Sequence, residues 1–121
     1  MFRKISLVAV AIALSAVFAY AQGEKKTVKL TGYVIDNMCA GEHASEADAK
    51  AHSTHCALMA RCEKSGFVVV SGEKSYKLDA EGNKLMSQLM HTTKTKKGLK
   101  VSVEGTVEGD TLHADKLTEV E

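Results

Sequence analysis

The chain has 121 residues, with 16 Lys plus Arg, 15 Asp plus Glu, 5 His, 3 Cys, no Pro, no Trp and a formal charge of +1. That length suits one domain. The charge balance excludes a strongly basic nucleic-acid binder and an acidic disordered tail as descriptions of the whole chain.

The first element is a leader. Arg3 and Lys4 precede an uncharged apolar run, Ile5 to Phe18, and Ala19-Tyr20-Ala21 has the small-x-small pattern of a signal-peptidase site. The pattern predicts a secretory signal peptide over 1–21, because the run is shorter than the roughly 20 apolar residues of a membrane helix. Gln22, not Cys, follows the expected cut, so no lipid anchor is indicated. The expected location is the periplasm or the exterior, with no membrane anchor after cleavage. Residues 22–121 then carry 14 basic and 15 acidic side chains, a formal charge of −1, and three aromatics, Tyr33, Phe67 and Tyr76. So few large apolar groups make a thin core, and small domains of this kind often add a staple or a metal.

Thr27 to Asp36 alternates, with Val28, Leu30 and Val34 on one face and Lys29, Thr31 and Tyr33 on the other. This predicts a strand, bent or bulged at Gly32. Asn37 to Ser65 is rich in Ala, His, Cys and charge. Ser45 with Asp48 resembles a capping box, and a helix is expected from Glu46 to Cys62, broken near Ser53-Thr54. Gly66 ends it. Phe67 to Val70 reads as a buried strand, Ser71 to Lys74 as a hairpin turn and Ser75 to Asp79 as the next strand. Glu81 to Thr92 is a helix with Leu85, Met86, Leu89 and Met90 as its apolar stripe. Leu99 to Val107 is a long strand bent at Gly105, and Leu112 to Val120 follows a tight turn. The predicted fold is mainly β with helices: a small five-stranded OB-like Greek-key barrel over 22–121, with a Cys/His helical insert, about 37–65, after the first strand. A small open sheet with two helices is the alternative.

The chemistry concentrates in the insert. Cys39, His43, His52, His55, Cys56 and Cys62 fall within 24 residues. On one helix His52, His55 and Cys56, at i, i+3 and i+4, would share a face. Imidazole and thiolate converging on a point is what zinc or copper needs, and the soft sulfurs of Met38 and Met59 add weight to copper. A disulfide with solvated histidines would also account for the cluster, since thiols of exported proteins tend to pair. Cys56 and Cys62 would be about 9 Å apart along a continuous helix, too far for a bridge, so a bridge from Cys39 is the expected pairing. Three cysteines leave one over.

Other features weigh less. His91 suits a helix C-terminus, and His113 reads as a surface residue. Lys94, Lys96, Lys97 and Lys100 read as a solvated loop, and three aromatics are too few for a stacking nucleic-acid site. There is no Gly-rich phosphate loop, no nucleophile elbow, no Cys-x-x-Cys and no Cys-x-x-Cys-His. A thiol enzyme built on Cys56, His52 and His55 is conceivable, with no substrate indicated.

Gly32-Tyr33-Val34-Ile35-Asp36-Asn37-Met38-Cys39, His55-Cys56-Ala57-Leu58-Met59-Ala60-Arg61-Cys62 and Ser65-Gly66-Phe67 resemble a group of small exported bacterial proteins of undefined biochemistry. Tyr76 to Asp79, Gly82 to Lys84 and Val103 to Val107 extend the resemblance over most of residues 22–121. The spacing of Cys39, His43, Cys56 and Cys62 is its most specific part. It implies the OB-like strand order and one shared module, and no activity comes with it.

The expected function is therefore a non-enzymatic exported domain whose partner is a zinc or copper ion held by four of the six Cys and His side chains. The alternative is a disulfide-stapled OB-like module that uses its surface to hold a ligand or another periplasmic protein.

Overall fold

The computed structural model describes residues 26–41 and 44–121; the expected leader and His43 lie outside the described residues. Five strands close into a barrel: β1 (Lys26–Asp36), β2 (Phe67–Ser71), β3 (Lys74–Leu78), β4 (Lys100–Glu108) and β5 (Thr111–Glu119). Around the barrel they run β1-β2-β3-β5-β4. The β3–β5 pair is parallel and the others antiparallel. This is the OB-like order expected from the sequence. Among the described residues no helix is long and apolar enough to cross a membrane.

β1 is long because it serves two neighbours. Lys26 to Tyr33 pairs with β4, and Tyr33 to Asp36 pairs with β2. Gly32 sits at the handover. A Cβ there would lie 2.5 Å from the Val70 carbonyl oxygen, so a close backbone approach, not a bulge, explains the glycine. The expected bend at Gly105 is a register shift between Glu104 and Gly105 where β4 meets β5.

The interior is filled by Val34, Phe67, Val69, Leu78, Val101, Val103 and Leu112. Helix α5 (Ala80–Thr92) adds Met86 and Met90 to the same core. The expected stripe of this helix is split: Met86 and Met90 are buried, and Leu89 packs against the core only partly buried. A second cluster lies on the other face of the β1–β2 pair, where Ile35, Val68 and Val70 meet Ala40 and Ala49 of the insert. Covering on both faces accounts for the unbroken apolar run at Phe67–Val70.

The insert is four short helices: α1 (Asn37–Ala40), α2 (Glu46–Ala51), α3 (Thr54–Ala57) and α4 (Ala60–Ser65). The helix expected over Glu46–Cys62 has its break close to the expected Ser53-Thr54, at His52–Ser53, and a second, unexpected one at Met59. His52 and Ser53 are extended, with ψ of 132° and 145°, and Met59 is extended with ψ of 138°. Side chains cap three of the starts. Asp36 accepts from the Cys39 N–H, Ser45 from Asp48 and Ser53 from Cys56. The Ser45–Asp48 capping box is complete, and its hydrogen bonds hold the Asp48 carboxyl below its ordinary value.

Candidate metal centre

The site forms where the end of β1 meets α1 and α4. Asp36 is the last residue of β1 and fully buried. Its Oδ2 accepts from the Cys39 N–H at 2.9 Å, and its Oδ1 lies 2.6 Å from His52 Nε2. A buried carboxylate is costly to leave unpaired, so these partners hold it in one orientation. α1 is clamped to α4 by its backbone. The Asn37 N–H donates to the Gly66 carbonyl at 2.8 Å, and the Met38 N–H donates to Ser65 Oγ at 3.0 Å. Ser65 Oγ in turn donates to the Cys62 carbonyl at 2.6 Å. This clamp sets Cys39 of α1 opposite Cys62 of α4.

The result is a converging group. One ligand atom from each of Asp36, Cys39 and Cys62 lies within 4.8 Å of the others. Two sulfurs and a carboxylate oxygen form a donor set suited to a transition metal, not to calcium or magnesium. Loss of water around the Cys39 sulfur, then its hydrogen bond to Asp36 and the charge of that carboxylate, push the thiol up to about 11. The residue as a whole is exposed, so the effect is local to the sulfur. Cys62 is also raised, by burial first and the Asp36 charge second. Without metal, therefore, Cys39 is a neutral thiol at pH 7 and the environment of Cys62 favours its neutral form too.

The six residues singled out in the sequence separate. Cys39 and Cys62 come together. His52 stands one step away, joined to Asp36, with its ring largely buried. His55 and Cys56 lie on α3, exposed, and are not in the converging group. The break at His52–Ser53 removes the shared helix face that would have aligned them with His52. The disulfide expected from Cys39 is not formed: all three cysteines are free. Cys39 and Cys62 meet as thiols beside the Asp36 carboxylate.

Asp36 was not among the residues expected at the site. Its signal was local: an Asp three residues before Cys39, at the junction of strand and insert, has the spacing of a helix N-cap. The other histidines have structural partners. His91 Nε2 lies 3.0 Å from Glu63, joining α5 to α4, and His113 lies 3.4 Å from both Asp79 and Glu108.

The chain matches no protein-family model, no curated protein and no solved structure at a significant level.

Proposed function

We propose that the protein is an exported, non-enzymatic domain that binds a transition metal, zinc or copper, at the Cys39 and Cys62 sulfurs with Asp36 beside them. The observation that carries this reading is the approach of these three side chains to within 4.8 Å of one another, from three separate elements. Asp36 and Cys39 are close in sequence, and the arrival of Cys62 from α4 makes the group more than a local cluster. Binding exchanges thiol protons for the ion, so affinity rises with pH. His52 holds the carboxylate from outside, in the manner of groups that orient metal ligands. The thiol enzyme considered on Cys56, His52 and His55 finds less support, because the break at His52–Ser53 removes the helix face the three would have shared.

Metal analysis and titration of the purified, reduced protein test the proposal. The wild type is expected to take up one ion of zinc or Cu(I), and the ion is expected to shield both thiols from alkylation until a chelator is added. The Cys39→Ser/Cys62→Ser variant is expected to lose that uptake. A wild type that binds neither ion, or a double variant that binds as well, overturns it.

A further inference from the structure

Methionine has two uses in this fold. Met86 and Met90 are 0% and 3% exposed, in the core. Met38 and Met59 are 55% and 56% exposed, and among the described residues they are the large apolar side chains left open to solvent. A single exposed apolar side chain needs no explanation. These two, however, flank the candidate ligands in sequence. Met38 directly precedes Cys39 on α1. Met59 stands at the N-cap of α4, three residues before Cys62, a spacing that brings side chains together at the start of a helix. The hydrogen bond from the Met38 N–H to Ser65 Oγ ties this stretch of α1 to α4.

The carboxylate, in contrast, is already engaged. Asp36 Oδ1 is bound to His52 and Oδ2 to the Cys39 N–H. The other donors at hand are sulfur: two thiols and two thioethers. Thiolate and thioether together favour Cu(I), whereas zinc takes four ligands drawn from thiolate, imidazole and carboxylate.

Building on the metal-binding reading, we infer that the ion is Cu(I), bonded to Cys39 and Cys62 Sγ, with the Met38 and Met59 thioethers as neutral sulfur donors on the exposed side. As each Sγ–Cu bond forms, that thiol gives its proton to solvent. Copper stays monovalent, so nothing is oxidised or reduced. The thioethers add no charge and release no proton.

The test titrates the reduced, metal-free protein under exclusion of oxygen with Cu(I) and, separately, Zn(II), each against a coloured chelator of known affinity. Leucine at the two methionine positions keeps size and apolarity at exposed sites, so Met38→Leu/Met59→Leu is expected to fold. The wild type is expected to hold Cu(I) about 100-fold or more tighter than Zn(II). The methionine double variant is expected to lose about tenfold in Cu(I) affinity with Zn(II) binding unchanged. X-ray absorption at the copper edge is expected to show sulfur neighbours alone. Preference for Zn(II), oxygen or nitrogen neighbours, or a methionine variant that keeps full Cu(I) affinity overturns the inference while leaving metal binding intact. Failure of both ions to bind the wild type overturns both readings.

Discussion

In the barrel, Val69, Val101, Val103 and Leu112 are each fully buried, and α5 adds Met86 to them. Each such side chain contributes about 1.5–3 kcal/mol through removal from water. In the insert the buried apolar residues are small: Ala40, Ala49, Ala57 and Cys62. Its helices are four to six residues long, far below the length that is stable alone. Beyond the small apolar contact of Ala40 and Ala49 with Ile35, Val68 and Val70, what holds them is polar: caps at Asp36, Ser45 and Ser53, the Asp36–His52 contact, and hydrogen bonds to the loop before β4. In that loop the Thr95 carbonyl accepts from Thr54 Oγ1 at 2.7 Å, and the Gly98 N–H donates to the His52 carbonyl at 3.1 Å. The two regions differ in kind. The barrel stands on apolar burial, while the insert is a polar assembly laid on the outer face of β1 and β2. Such a region opens at lower free energy than a barrel core, and a ligand that binds its folded form tightens it.

The largest expected effect comes from the barrel. Leu112→Ala should cost about 2–5 kcal/mol, and urea unfolding should show it as a lower midpoint for the whole domain. Barrel signals lost before insert signals would contradict the lower opening free energy expected of the insert. His52→Ala sharpens the contrast from the other side. It leaves the Asp36 carboxylate short of a partner in a fully buried position, at a cost of about 1–3 kcal/mol. Amide exchange should then speed up across residues 44–65 while β4 and β5 keep their protection. Equal acceleration in both regions would remove the distinction drawn here.

The smallest expected effect is a pH dependence. The Cys39 thiol lies at about 11 in the fold against an ordinary 9.0, and Cys62 is shifted the same way. The fold therefore favours neutral thiols. That contribution is complete below pH 9.0 and is lost as pH rises toward about 11. The thermal midpoint of the metal-free protein should fall over that window, and Cys39→Ser should flatten the fall. A midpoint that rises there would contradict the environment described for Cys39.

Much of the barrel was legible from local pattern. The alternation of Val28, Leu30 and Val34, the turn between Phe67–Ser71 and Lys74–Leu78, and the bend at Gly105 all rest on residues close in sequence. The inward face of β1 followed from that alternation. The burial of Ile35 on the opposite face did not, because it needs the insert to fold back over it. The insert was legible as a Cys- and His-rich helical segment starting at the Ser45 cap. Its breaks at His52–Ser53 and Met59 were only partly visible, and they undid the spacing argument that grouped His52 with His55 and Cys56.

Sequence alone thus determined the strand order, the place of the insert and two of the sulfurs at its candidate site. Only the tertiary structure decided that Cys39 meets Cys62 and that Asp36 joins them. The physical reason is range. Alternation and capping act over two to four residues, whereas this site depends on hydrogen bonds spanning 27 residues between Met38 and Ser65, and 16 between Asp36 and His52. Those contacts exist only once the barrel has fixed where the insert begins and ends.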